Sequence, residues 1–170
     1  MLFVARSSAW GKSLFERGLT SGSSGNMSVR TPDGYLATPT NSCLGFLEPD
    51  RLSKLDTEGK HISGDLPTKE LPLHFGFYRS RPSASAVVHL HSTFATALSC
   101  LDDTNPDDAI PPITPYVVMR AGRVPVAPYT RPGSADLFAL IAERAADHPA
   151  IPLANHGPEG GPLGFKVVPW

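Results

Sequence analysis

Two histidines, His89 and His91, lie one residue apart in this 170-residue chain and follow a short apolar run. The run predicts a buried strand over 85–90, and residues i and i+2 of a strand point to the same face. Two imidazoles on one rigid face can bind one metal ion, and three with an open position describe a catalytic zinc site. The alternative is that each ring hydrogen-bonds a backbone carbonyl. The buried context favours the metal.

A candidate for the third imidazole is His156, which directly follows the apolar run 151–154. That run predicts a last buried strand. The other histidines occur in hairpin, helix and pre-proline contexts, which indicate structural or surface roles: His61, His74 and His148.

A carboxylate, Glu70, stands near the start of a helix predicted over 68–81. Thr68 is the expected cap of that helix, and a carboxylate in the first turn complements the helix dipole. Beside a metal, the same carboxylate can instead act as a general base or a further ligand. The N-terminus of the helix is also a natural seat for a phosphate.

Two loops rich in small and hydroxyl residues, 22–26 and 38–42, flank a predicted strand. Such loops can turn backbone N–H groups toward a phosphate. Loops of this composition are also common as plain turns, so the two readings stay open at this point.

The remaining elements place these residues on a mixed sheet. Turn residues at 31–34 and 57–59 predict two hairpins. Strands outnumber helices, which favours a mostly antiparallel sheet covered by helices. The predicted helices are 7–17, 92–100 and 134–146, the hairpin strands are 27–30, 35–38, 51–56 and 60–63, and short extended pieces are expected at 117–119 and 123–127.

Composition excludes several classes of protein. Lys and Arg number 15 against 16 Asp and Glu, so the formal net charge is -1 and no basic excess is available for nucleic acid. No apolar run reaches the roughly 20 residues of a membrane helix. The two cysteines, Cys43 and Cys100, form no disulfide framework or metal motif, which favours a reducing cytoplasm.

Five motifs occur here in the order in which they stand in the class II aldolase/adducin family. They are 25–30, 38–40, 67–70, 86–91 and 155–157. The sequence resembles that family over about residues 4–158. The resemblance implies a three-layer α/β/α fold with a mostly antiparallel central sheet, and a homotetramer with active sites between subunits.

The resemblance also implies the roles of individual residues. Zinc, or another divalent metal, is expected on His89, His91 and His156. Glu70 matches the family's acid–base carboxylate, which can also approach the metal. The positions that hold the substrate phosphate are Asn26, Thr40, Asn41, Thr68 and Lys69. Two of these depart from the usual pattern, because Asn41 stands where glycine is common and Thr68 where serine is common.

The activity that the resemblance implies is decarboxylation of a small phosphorylated sugar acid. A 3-oxo-tetronate 4-phosphate would give dihydroxyacetone phosphate and carbon dioxide. One alternative is a zinc-dependent aldolase that cleaves a phosphorylated ketose. Another is a non-catalytic, adducin-like interaction domain or an inactive truncated product.

The C-terminal segment departs from the family. We expect one domain over 1–158 and a divergent tail over 159–170, whose glycines and prolines disfavour a long helix. The C-terminal helices of the family are then missing, as in a truncated or frame-shifted product or in a natural short variant. Bared apolar surface would promote association or aggregation and lower solubility, at the expense of a regular tetramer. His156 would also be held less firmly, so metal retention and activity would fall.

Overall fold

The computed structural model describes residues 2–130, 134–155 and 164–167. Its strands are β1 (Asn26–Thr31), β2 (Gly34–Ala37), β3 (Ser53–Leu55), β4 (His61–Ser63), β5 (Ala86–Leu90), β6 (Ala150–Ile151) and β7 (Gly164–Val167). Its α-helices are α1 (Leu2–Glu16), α2 (Leu71–Ser80), α3 (Thr93–Ser99), α4 (Pro115–Arg120) and α5 (Ala135–Ala145). Two short 3-10 turns lie at Leu44–Phe46 and Pro49–Arg51.

The seven strands form one sheet in the order β4-β3-β2-β1-β5-β7-β6. Each ladder between these strands is antiparallel, and an isolated bridge between Ala127 and Leu153 is parallel. The prediction of a mostly antiparallel sheet is confirmed. The neighbouring strands β1 and β2 are joined by a turn of only two residues, Pro32 and Asp33, whereas β1 and β5 are far apart in sequence.

Helices cover both faces of the sheet, so the predicted three-layer α/β/α arrangement is confirmed. Alternate residues of β5 face opposite sides, as the pleat requires. Val88 packs with Met27 and Leu44 on the face that α1 covers. Val87 packs on the other face with Phe77 of α2 and Ile141 of α5.

Several predicted elements are confirmed with shifted ends. Both N-terminal hairpins, the buried strand at 86–90 and the helix at 135–145 are present. The first helix begins at Leu2, five residues earlier than predicted. The helix predicted from Thr68 begins at Leu71, with Glu70 at its N-cap position. Ser92 precedes α3 but makes no side-chain cap bond.

Two predictions about the second half of the chain need correction. Residues 117–119 are helical in α4, because Thr114 accepts a hydrogen bond from the Val117 N–H and Pro115 suits the first helical turn. The segment 123–127 forms no named strand, although Ala127 makes its bridge to Leu153. Within the segment predicted as a divergent tail, Gly164–Val167 forms β7 between β5 and β6.

No helix of the described chain has the length and apolar character needed to cross a membrane.

Candidate active site

The register between β1 and β5 places two polar residues side by side in the sheet. Asn26 is the direct partner of His89, and both are buried. Directly opposite residues of an antiparallel pair lie on the same face. His91 follows the end of β5 on that face, and its Nε2 atom lies 2.7 Å from Nε2 of His89. The predicted convergence of the two imidazoles is present.

Glu70 reaches this pair from the start of α2. Its backbone N–H donates to the Thr68 hydroxyl at 3.2 Å, so Thr68 fixes the turn that precedes the helix and does not cap the helix itself. Serine carries the same hydroxyl, which explains why threonine can replace it. One oxygen of Glu70, Oε2, accepts a hydrogen bond from Asn26 Nδ2 and lies 3.4 Å from His89 Nε2.

The donor atoms suit a divalent metal ion. Imidazole nitrogen and carboxylate oxygen are common zinc ligands, and two Nε2 atoms and one carboxylate oxygen meet here at 2.7 and 3.4 Å. The described part of the chain contains no complete group of three or more His, Cys, Asp or Glu arranged as ligands. His156, the predicted third imidazole, lies outside the described residues.

Two of the segments predicted to bind phosphate, the loop 38–42 and the helix start at 67–70, are joined by backbone pairing. Pro39 and Pro67 form an antiparallel bridge. On either side of it, the Thr40 N–H donates to Leu66 at 2.9 Å and the Thr68 N–H donates to Thr38 at 3.0 Å. The bridge therefore holds the loop after β2 beside the turn before α2.

Asn41 adopts a left-handed backbone conformation, with φ of 56°. Glycine adopts this region without strain, and asparagine is one of the few other residues that tolerate it. The structure thus accounts for asparagine where the family commonly has glycine. The loop keeps its turn.

Gly25 lets the loop 22–26 approach the sheet closely. Its φ is +78°, and a Cβ atom there would lie 2.9 Å from the carbonyl oxygen of His89 and 2.9 Å from Thr20 Oγ1. Only glycine fits both conditions. This close approach sets the position of Asn26, the next residue, relative to β5.

These loops surround one open cleft of about 270 Å³. It contains seven of the nine residues predicted for the site, together with small residues of the first loop. Its lining is Ser23, Ser24, Gly25, Asn26, Pro39, Thr40, Asn41, Thr68, Lys69, Glu70 and His91. Of the other two, His89 is buried behind His91 and His156 is not described.

His74 belongs to the hydrogen-bonded surroundings of the site, which its sequence context alone did not indicate. This histidine is fully buried, with Nε2 2.6 Å from Asn26 Oδ1 and Nδ1 2.7 Å from Ser28 Oγ. A surface role is thus wrong for His74, whereas a structural role is compatible. Burial lowers its pKa to about 4, although the charge of Glu70 opposes that shift. The available signal was spacing, because Glu70, His74 and Tyr78 follow at intervals of four residues, which places them on one face of a helix.

The fold and the cleft define a class of protein, a three-layer α/β/α domain with an open cleft at the ends of the inner strands β1 and β5 of its sheet. Residues 6–159 match the family described as Class II Aldolase and Adducin N-terminal domain. The chain belongs to the class II aldolase/adducin family, as its motifs predicted.

The relatives of the chain within the family include enzymes with two different activities. The chain is 55% identical over 147 residues to 3-oxo-tetronate 4-phosphate decarboxylase of Escherichia coli (strain K12), covering 86% of this chain and 69% of that one. It is 39% identical over 142 residues to L-fuculose phosphate aldolase of the same organism, covering 82% and 63%. The crystal structure of YgbL from Escherichia coli superposes with a TM-score of 0.89 at 47% identity, covering 96% and 77%.

Proposed function

We propose that the protein is a carbon–carbon lyase that decarboxylates 3-oxo-tetronate 4-phosphate to dihydroxyacetone phosphate and carbon dioxide. The observation that carries the proposal is the single cleft, which joins the hydroxyl-rich loops to Glu70 and His91. The higher identity to the decarboxylase, 55% against 39% for the aldolase, supports this reaction over aldol cleavage.

The proposed substrate spans the cleft from its phosphate to its carboxylate. The phosphate lies against Thr40, Asn41 and Thr68, with exposed Lys69 supplying a positive charge. Charge-assisted hydrogen bonds to phosphate are about twice as strong as neutral ones. The ketone and its neighbouring hydroxyl then point toward Glu70 and the histidine pair.

The chemistry required is the stabilisation of charge and the delivery of one proton. When the bond to the carboxylate breaks, its electron pair moves onto the adjacent ketone and gives an enediolate. A divalent cation held by His89, His91 and His156 would supply Lewis-acid stabilisation of that negative charge. Glu70 delivers the proton to the enediolate carbon, which becomes the hydroxymethyl carbon of the product. Glu70 takes this proton from water and relays it, so that it begins and ends each turnover as a carboxylate and the reaction consumes one proton.

We propose zinc as the cation, because imidazole-rich sites with an open position are typical of catalytic zinc. Other divalent ions bind the same donors, and the order of affinity alone does not select among them. Metal analysis of protein purified without chelators tests this point. A stoichiometric ion other than zinc would refute zinc and keep the Lewis-acid role.

We also propose that the protein assembles as a homotetramer, as the family resemblance implies. Three large apolar side chains on α3 and α4 support association, since Phe94 is 89% exposed, Tyr116 74% and Met119 78%. Covering such side chains in an interface would remove apolar surface from water, which favours association. Light scattering on the purified chain tests the assembly, and a monomer would refute it.

The deciding experiment measures products from a panel of 3-oxo-tetronate 4-phosphates. We expect carbon dioxide and dihydroxyacetone phosphate in equal amounts. An aldehyde released from a phosphorylated ketose, without carbon dioxide from the acids, would identify an aldolase. No turnover of either substrate by metal-loaded protein would favour a non-catalytic domain.

The variant that tests the role of Glu70 is Glu70→Gln, which keeps the size of the side chain and removes the acid–base group. We expect turnover to fall by about 100-fold or more, the usual scale of acid–base catalysis. Near-normal turnover would show that Glu70 serves only the start of α2.

A further inference from the structure

Four hydrogen bonds form one chain between the sheet and α2, and the chain ends on Glu70. Tyr78 Oη lies 2.9 Å from Ser28 Oγ, which lies 2.7 Å from His74 Nδ1. His74 Nε2 lies 2.6 Å from Asn26 Oδ1, and Asn26 Nδ2 donates to Glu70 Oε2. We refer to these five residues as the Glu70 chain.

The Glu70 chain follows from two periodicities. Asn26 and Ser28 are two apart in β1 and therefore face the same side of the sheet. His74 and Tyr78 are four apart in α2 and therefore lie on one face of the helix. Because α2 packs on this side of the sheet, two strand residues meet two helix residues. All four side chains are buried, so their polar atoms need partners inside the protein.

The donors and acceptors along the Glu70 chain fix the direction of each bond. An ionised carboxylate only accepts, so the amide nitrogen of Asn26 faces Glu70 and its oxygen faces His74. Nε2 of His74 must then carry the hydrogen. His74 is neutral because burial lowers its pKa to about 4, so Nδ1 accepts from the Ser28 hydroxyl. The Tyr78 hydroxyl is left to donate to Ser28.

We infer that His74 is a positioning residue: its Nε2–H holds the Asn26 amide in the one orientation that presents a donor to Glu70. The other orientation would set the amide oxygen against the carboxylate, and two acceptors repel. The catalytic consequence rests on the proposed function, in which Glu70 carries the proton. His74 itself touches neither substrate nor reacting atoms, and it acts through Asn26.

The kinetic test compares two replacements of His74. His74→Phe keeps a ring and removes the donor, whereas glutamine in His74→Gln can place an N–H near the position of Nε2. We expect His74→Phe to lower kcat roughly tenfold to 100-fold, the scale of a misplaced catalytic group. KM should stay within about twofold, because the phosphate loops are untouched. His74→Gln should restore most of kcat.

The matched control is Leu73→Val, a neighbour on α2 that is buried in the apolar core and makes none of these hydrogen bonds. It is expected to lower stability and leave kcat unchanged. Equal losses of kcat in Leu73→Val and His74→Phe would overturn the inference, because general loosening of α2 would then explain both. A His74→Gln variant as slow as His74→Phe, with both folded by circular dichroism, would also overturn it.

A spectroscopic test needs no turnover, and the signals that are missing in His74→Gln identify those of His74 among the six histidines. Nitrogen-15 NMR of histidine-labelled wild-type protein reports which ring nitrogen carries hydrogen. We expect His74 as the neutral Nε2–H form at pH 7. A neutral Nδ1–H form would overturn the inference whatever the enzyme does, because Nε2 would then have no hydrogen to donate to Asn26. If the wild type releases no carbon dioxide, the proposed function fails, and this measurement still decides the orientation of the Glu70 chain.

Discussion

Acid should destabilise this protein through His74, and the size of the effect follows from its burial. The ordinary pKa of histidine is 6.5, and burial lowers that of His74 to about 4 in the folded state. The unfolded chain therefore binds more protons than the folded chain between these two values. Stability rises with pH wherever the unfolded state binds more protons. The contribution of His74 is thus fully present above pH 6.5 and is lost as the pH falls toward 4.

The magnitude is about 3 kcal/mol, because one pKa unit corresponds to about 1.4 kcal/mol. Such a loss is a large part of the 5–15 kcal/mol that is typical of a folded domain. Below pH 4 the folded protein also protonates His74, so no further loss comes from this group. The charge of Glu70 acts in the opposite sense, and desolvation outweighs it.

Urea unfolding of the wild type and of His74→Gln across this pH range provides the assay. Other titrating groups contribute nearly equally to both proteins, so the difference between the two curves isolates His74. We expect the wild type to lose about 3 kcal/mol more than the variant between pH 6.5 and 4. Parallel curves would refute the reasoning, because they would mean that His74 takes up its proton in the folded state without cost.

Three further changes test the site. His91→Ala should remove most of the bound metal and abolish turnover, measured by metal analysis and carbon dioxide release, and an active variant that retains metal would contradict the ligand assignment. Lys69→Ala should raise KM about tenfold with little change in kcat, since a charged hydrogen bond contributes roughly 1.5–3 kcal/mol. The control is Lys60→Ala, at an exposed position next to a turn, which should change neither KM nor kcat. Gly25→Ala should cost about 2 kcal/mol or more in urea unfolding, because alanine is strained at positive φ and its Cβ would lie 2.9 Å from the His89 carbonyl oxygen.

Local signals in the sequence predicted the elements that local chemistry determines. The turn residues around Pro32 and Gly34 marked the first hairpin, and the apolar run before His89 marked β5. The same reasoning failed at 117–119, where two valines suggested an extended segment. There the cap from Thr114 and the fixed φ of Pro115 are also local, and they outweigh the weak preference of valine for strands.

Long-range pairing could not be predicted from local pattern. The segment Gly164–Val167 pairs with β5 on one side and β6 on the other. The alternation of apolar Phe165, polar Lys166 and apolar Val167 is too short to predict a strand. Of its two partners, β5 lies far away in sequence and β6 has only two residues. The position of such a strand depends on which neighbouring strands have unpaired backbone groups, here β5 and β6.

In the site, too, residue types could be predicted from the sequence, whereas their geometry depends on long-range pairing. Motif and residue type predicted which side chains gather in the cleft, and they also suggested Asn26 as a phosphate contact. That phosphate contact stays a prediction. The side chain of Asn26 lies between His74 and Glu70, because the β1–β5 register sets it beside His89. A slip of one residue in that register would turn Asn26 and Ser28 toward α1 and bury Met27 against α2. The apolar packing of Met27 and Val88 under α1 therefore opposes such a slip, and the same packing keeps the hydrogen-bonded chain aimed at Glu70.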